Sequence, residues 1–443
     1  VLNVDDNACF IDDFGPLPVK RLQSVAEVGD IVRRAAAERQ AIYPLGGRTL
    51  LHIGLPPARP GIAVDLRNLS QVLDYPARDM TVTVQAGITM AQLQSLLATE
   101  KQRLPIDVPQ AEQATLGGVL ATNISGPRRF GFGTLRDYVL GIRTINDQGQ
   151  EVKAGGHVVK NVAGYDLCKL HIGALGTLGI ISQVTLKLRP VPECSALITF
   201  GCETAALDRL LDQLHATRTR PVCLDLLNPT AIHELRMNLP EALWVLVVGF
   251  EDNSDTVNWQ IRQLLQELAH SGIQGVETWI GAAGEPLWHS LVEFTWGGGR
   301  KSPEESLSEG PMLSERSPRG RTSSAQGISF KANLLPHAVA SFCRQAEALS
   351  ESMRLHAHAG SGIVYGHLDS NVTLPRVAAM LKELTDVAAR AEGNLTLLRC
   401  PVEWKRELPL WGRERGDLWL MQQVKNILDP QNIFNPGRFL IGR

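Results

Sequence analysis

Three glycine clusters hold the backbone-level chemistry of this sequence. The first is Gly46, Gly47, Arg48 and Thr49, just after the apolar run Ala41–Pro44. Two glycines behind a short buried strand can expose a nest of N–H groups suited to phosphate, or can simply make a tight turn. The second is ATLGGVLATNISG. Here Thr115 can cap a helix whose first turn contains Gly117 and Gly118, leaving bare N–H groups and the positive dipole end for a pyrophosphate. The third, GALGTLGII, runs into a long strand ending near Leu188. Its spacing is not G-x-G-x-x-G and it precedes a strand, so a Rossmann dinucleotide site is excluded. So many permissive residues between Thr115 and Pro190 imply main chain pressed against a large ligand.

The elements that must position these clusters follow from periodicity and capping. Residues 1–17 read as a polar, loosely held arm. Ser24 and Glu27 form a capping box for a helix to about Arg39. Gly61–Leu66 and Met80–Gln85 read as strands, Thr89 caps the next helix, and residues 104–109 (LPIDVP) are a stiff extended entry. Val139–Asn146 and Glu151–Ala154 flank a turn as a hairpin. From about Cys194 the order becomes β-α-β-β-α-β, a ferredoxin-like pattern. A second strand-and-helix set follows, over residues 328–400, and extends the first. Residues 299–326 are polar and Gly-rich, a mobile surface insertion or else a docking loop. Asp417–Leu428 is amphipathic and stops at Pro430.

A chain of 443 residues with 44% hydrophobic and 20% charged residues accommodates two or three domains. A net charge of -2 gives no electrostatic case for nucleic acid or an anionic membrane as partner. No apolar run reaches the roughly 20 residues of a membrane span, and the N-terminus lacks the pattern of a secretory signal. The seven cysteines are scattered, with no C-x-x-C. That suits reduced thiols in a cytoplasmic setting and offers no iron–sulfur or zinc framework.

The glycine clusters, KNVAGYDLCKL and the terminal LDPQNIFNPGR occur in an order that resembles the vanillyl-alcohol oxidase-type (PCMH-type) FAD flavoproteins. Within them the chain is most similar to the FAD-binding second subunits of bacterial glycolate oxidase. The likeness is strong over residues 18–195 and weaker over 328–443. It implies an α+β fold: a two-lobed FAD-binding domain (18–195), a ferredoxin-like α+β cap (196–400), and a C-terminal segment (401–443) returning to the FAD domain. By position, Gly46, Gly47, Arg48 and Thr49 would cradle the pyrophosphate. Pro109, Thr115, Gly117, Gly118, Thr122, Ser125 and Gly126 would line the same side and the inner edge of the flavin. Gly179, Ile180 and Ile181 would offer main-chain contacts, and Asn435 would approach the flavin end. Arg48 stands where the family usually has a third glycine, and would add a cation beside the pyrophosphate or turn to solvent. It also stands where some relatives attach FAD through histidine, so the FAD is expected to be non-covalent. His52 reads as a loop histidine.

Related 2-hydroxy-acid dehydrogenases carry H-x-G-D-G-N-x-H, which holds a divalent metal on the substrate, and a downstream glutamate–histidine pair. This chain has His358, Gly360 and Gly362, but Ser361, Ile363 and Tyr365 replace the Asp, the Asn and the second His. Glu392 is the nearest downstream acid. His356, His358 and His367 without a carboxylate make a poor cage for a hard cation, so no metal is expected. Leu175 replaces the family's acidic residue in the third glycine cluster, as in the second subunits. Lys331 lies on a cap strand where relatives place a basic residue towards the flavin, and is either a partner for a substrate carboxylate or a solvated strand lysine. Lys331 and His358 are therefore the catalytic candidates. The resemblance implies passage of hydride from glycolate or a similar small 2-hydroxy acid through FAD, with a catalytic FAD subunit and an iron–sulfur subunit as partners. The alternatives are a flavin-bearing relay subunit with no turnover of its own, or a cofactor-free interaction protein. The setting expected is cytoplasmic, with membrane contact only peripheral and through partners.

Overall fold

The computed structural model describes residues 8–156, 165–295, 327–369, 371–413 and 416–439. The chain divides into two compact units. One comprises residues 1–125, 133–191 and 414–443, and the other residues 126–132 and 192–413. The 299–326 insertion and part of KNVAGYDLCKL lie outside the described residues.

In the first unit, β1 (Ala8–Ile11), β2 (Phe14–Arg21), β3 (Ala41–Leu45) and β4 (Gly61–Asp65) form a sheet of order β1-β2-β4-β3. β4 runs parallel to both β2 and β3. A second sheet has the order β5-β6-β10-β8-β9. It contains β5 (Val72–Asp74), β6 (Thr81–Gln85), β8 (Val139–Ile145), β9 (Glu151–Gly155) and β10 (Ile180–Lys187), all antiparallel. β7 (Gln102–Arg103) and β11 (Arg189–Pro190) make a short ribbon. The helix Val25–Ala37 is capped by Ser24, as its sequence signals, and buries Val28, Ile31 and Val32. Its core also takes in Ile42, Val64, Ile145 and Ile180, together with Ile433 and Phe434 from the C-terminal segment. The C-terminus is held by backbone bonds from Ile42 N–H to Ile433 O (2.7 Å) and from Asn435 N–H to Ile42 O (2.9 Å).

Residues 8–17 correct one expectation. They are strand, not loose arm: β1 pairs with β2, Cys9, Ile11 and Leu17 are buried, and Asp12 accepts from the buried Arg438 guanidinium at 2.9 Å. Charged neighbours hid a short buried alternation.

The second unit is built on one antiparallel sheet of eight strands. Its first half comprises β12 (Cys194–Cys202), β13 (Cys223–Leu227), β14 (Trp244–Asp252) and β15 (Gln274–Ile280). Its second half comprises β16 (Ile328–Asn333), β17 (Arg354–His358), β18 (Ile363–Leu368) and β19 (Asn394–Arg399). The order β15-β12-β14-β13-β17-β18-β16-β19 is two ferredoxin-like sets, each 4-1-3-2 or its reverse, joined where β13 meets β17. The helix Pro229–Leu235, opened by the side chain of Asn228, was not signalled by the strand pattern. In the second set one face is apolar. Phe330 meets Phe342 of the helix Val339–Leu349 edge-on at 6.5 Å. The opposite face carries the polar side chains described next.

Candidate functional site

The first unit brings the three glycine clusters together. A Cβ on Gly47 would fall on the carbonyl of Gln113, and one on Gly46 would fall on Thr115 Oγ1. These positions therefore exclude every residue but glycine while the two loops keep this approach. Thr115 caps the helix Leu116–Thr122, its Oγ1 accepting from Gly118 N–H at 3.4 Å. The first turn is not bare, however. Leu116 N–H donates to Ile88 O at 2.9 Å, and Gly117 N–H to Ala86 O at 2.8 Å. The expectation of bare N–H groups fails because the preceding β6 turn packs under the helix start. A Cβ on Gly117 would meet Ala86 at 3.0 Å.

The remaining expected cofactor residues have definite places. Thr122 Oγ1 donates back to Gly118 O at 2.9 Å. Pro109 and Ser125 are buried, Thr49 is half-buried, and Gly126 is grouped with the second unit. Asn435, at φ 43°, donates through Nδ2 to Leu175 O at 2.8 Å, which ties the C-terminal turn to the third glycine cluster. Lys425 does the same one turn away, donating to Thr177 O at 2.7 Å and to Phe434 O at 3.0 Å. β6 pairs with β10 only from Gln183 onward, so Gly179, Ile180 and Ile181 keep one backbone edge clear of it. Arg48 does not turn to solvent: at φ 61° it reaches back to Asp65 Oδ2 at 3.4 Å, and its Nε is buried with no hydrogen-bond partner. Asn123 Oδ1 is likewise buried and unpartnered. Buried polar atoms without partners beside two glycine loops suit a large polar ligand.

The second unit gathers the titratable side chains on one face of its sheet. Lys331 on β16 is opposite Tyr365 on β18, which is opposite His356 on β17. Directly paired residues share a face, so these three form a row. Ser329 and His367 form the next row, bonded Oγ to Nδ1 at 2.8 Å. His358 lies two residues beyond His356 on the same side of β17. From β13, Asp225 projects between the two histidines. Its Oδ2 lies 2.7 Å from His356 Nε2 and its Oδ1 2.9 Å from His358 Nδ1. All three side chains are buried, and they offer ligand atoms within 4.8 Å of one another. Asp225 was missed by sequence reasoning, which judged the histidines to lack a carboxylate. It lies 131 and 133 residues from its partners. The signal available was an acid in the middle of CLDLL, a strand buried at every position.

The electrostatics follow from burial and these contacts. Burial alone would raise Asp225, but the two imidazoles outweigh it and hold its carboxyl well below the usual range. Burial lowers His356 against the opposing pull of Asp225, and pushes His367 down to about 3. Burial raises the Tyr365 phenol, which therefore stays protonated. Desolvation, with Arg129 nearby, lowers Lys331 to about 8. Arg129 belongs to the segment 126–132, which is pinned in this unit. Arg128 pairs with Glu251 at 2.8 Å and stacks 3.9 Å from the centre of Trp288. Gly131 N–H donates to Val222 O at 3.1 Å.

Comparison with known proteins bears on the fold and the cofactor. Residues 16–155 match an FAD binding domain, and residues 405–439 match the C-terminal domain of FAD linked oxidases. D-2-hydroxyglutarate dehydrogenase of Stutzerimonas stutzeri is 24% identical, over 96% of this chain and 91% of that protein. Glycolate oxidase subunit GlcD of Bacillus subtilis is 25% identical, over 93% and 86%. Glycolate oxidase subunit GlcE of Escherichia coli is 33% identical, but over only 37% of this chain and 47% of that protein. Among solved structures, p-cresol methylhydroxylase superposes with a TM-score of 0.69 at 13% identity, covering 95% of this chain and 88% of that one. The fold is therefore that of the FAD flavoproteins expected from the sequence, and FAD is the cofactor.

Proposed function

We propose that this chain, an FAD-dependent oxidoreductase of the vanillyl-alcohol oxidase type, oxidises a small 2-hydroxy acid. Glycolate is the reference substrate, and the chain works as the FAD-binding subunit of a glycolate oxidase-like complex. The observation that carries this reading is the polar sheet face of the second unit. It presents one ammonium, Lys331, with the Arg129 charge close by, in register with Tyr365 and two residues from the Asp225–histidine cluster. A small acid needs a cation for its carboxylate and an acceptor for its hydroxyl proton. In this reading Lys331 takes the carboxylate and His358 faces the hydroxyl. Gly46, Gly47, Arg48, Thr49, Pro109, Thr115, Gly117, Gly118, Thr122, Ser125, Gly126, Gly179, Ile180, Ile181 and Asn435 line the cofactor. The bound FAD supplies the hydride acceptor.

A second reading, that of a flavin-bearing relay subunit, is supported by Ser361, Ile363 and Tyr365 in the histidine frame and by Leu175 in the third glycine cluster. Partner dependence separates the two. The purified chain should be yellow or take up added FAD, and a chain that binds none would sink both readings. Steady-state oxidation of glycolate, D-lactate and D-2-hydroxyglutarate with an artificial acceptor should proceed on the isolated chain in the first reading. Turnover that begins only when the catalytic and iron–sulfur subunits are added supports the relay.

A further inference from the structure

We propose that Asp225 and His356 are positioning residues that hold His358 in one tautomer, so that His358 Nε2 accepts the substrate hydroxyl's proton without a metal ion. The proposal rests on the 2-hydroxy-acid reading and adds to it the device that replaces the metal cage of the related dehydrogenases.

The donor set of the cluster decides the point. An ionised carboxylate only accepts, and both of its oxygens are engaged here: Oδ2 by His356 Nε2 at 2.7 Å and Oδ1 by His358 Nδ1 at 2.9 Å. Those two ring nitrogens therefore carry the protons, and the lone pairs sit on His356 Nδ1 and His358 Nε2. Both of these atoms are buried and have no hydrogen-bond partner. They are not equivalent. The His356 ring lies edge-on to Phe294 at 5.3 Å, against an apolar wall. His358 ends its strand and leads into the turn Ala359–Ser361, where a Cβ on Gly360 would meet the Phe130 ring at 2.5 Å. The neighbour of Phe130, Arg129, supplies positive charge to both Lys331 and Tyr365. The free lone pair of His358 thus belongs to the strand end that meets the Phe130 segment, and its ring lies edge-on to Tyr365 at 5.5 Å.

A divalent cation fits this arrangement poorly. A cation bound to Asp225, His356 Nε2 and His358 Nδ1 would replace both carboxylate hydrogen bonds and turn each imidazole to its other tautomer, with the proton on a buried nitrogen that has no acceptor. The other position at which relatives place a ligand is Tyr365, a buried phenol that stays protonated. In the step itself the substrate O–H bond breaks and its proton goes to His358 Nε2. The C–H bond on the same carbon would break with its electron pair passing to bound FAD, the two-electron acceptor that the cofactor would supply. A C=O bond forms, giving the 2-oxo acid. The imidazolium is paired with the Asp225 carboxylate, as in other carboxylate–imidazole pairs.

The test compares wild type, Asp225→Asn and Asp225→Glu as FAD-loaded full-length chains, with partner subunits if the wild type needs them. Asp225→Asn should slow flavin reduction by substrate at least about 100-fold, with less effect on KM, and Asp225→Glu should recover part of the rate. Metal analysis should find well under one equivalent of divalent metal, and EDTA should leave the rate unchanged. Independently of any substrate, the wild type should show downfield imidazole N–H proton resonances that Asp225→Asn and His358→Gln lose. A folded Asp225→Asn protein that reduces at the wild-type rate would overturn the proposal. So would a stoichiometric metal whose removal stops reduction. If the resonances behave as stated but no 2-hydroxy acid reduces the wild type, the substrate reading fails while the tautomer assignment stands.

Discussion

At the scale of single residues, the acid-recognising chemistry centres on Lys331. Desolvation and the Arg129 charge hold its ammonium at about 8. Its charged form therefore persists below that pH and is lost above it. Lys331→Met should raise KM for the acid about 10- to 100-fold, the size expected for losing a charged hydrogen bond, while FAD binding is unchanged. In the wild type, KM should climb as pH rises through about 8, and in Lys331→Met that climb should disappear. Steady-state kinetics from pH 6.5 to 9.5 check both. A flat wild-type profile would remove Lys331 from the carboxylate site.

The loops and strands decide which residues can do this. Gly47 has no room for a side chain against the Gln113 carbonyl. Gly47→Ala should therefore force the loop open, and the FAD-to-protein ratio after gel filtration should fall from near one to near zero. The glycine clusters, the Thr115 and Thr89 caps and the first ferredoxin-like set were legible in the sequence, because capping and period-2 alternation are local signals; the second set read only as strands and helices, with residues 355–368 as one strand where the structure has two. The satisfied first turn of the helix Leu116–Thr122 was not legible, since its partners Ile88 and Ala86 come from another element. Nor was the carboxylate of the histidine cluster. The β13–β17 pairing that delivers Asp225 joins the two halves of the sheet, and no periodicity announces which strand lies next to which. β1 was lost for a smaller reason: four residues with charged neighbours make too short a pattern.

At the scale of the whole molecule, the buried histidines tie stability to pH. His356 and His367 are fully buried, and burial lowers both below the ordinary histidine value, His367 to about 3. The unfolded chain takes up the His367 proton as pH falls through about 6.5, whereas the folded chain does so only near 3. Stability present above that window is then lost at up to about 1.4 kcal/mol per pH unit as pH falls through it. Denaturant titrations at pH 7.5 and 5.5 should show this fall, and equal stability at the two values would contradict the neutral, buried assignment. The central claim is that the chain is an FAD-dependent dehydrogenase of small 2-hydroxy acids. An anaerobic titration of the FAD-loaded chain by itself tests it most directly. The account predicts that one equivalent of glycolate or a close homologue bleaches the flavin's visible absorbance and yields one equivalent of the 2-oxo acid. An oxidised flavin that persists in excess of every 2-hydroxy acid tried would contradict it.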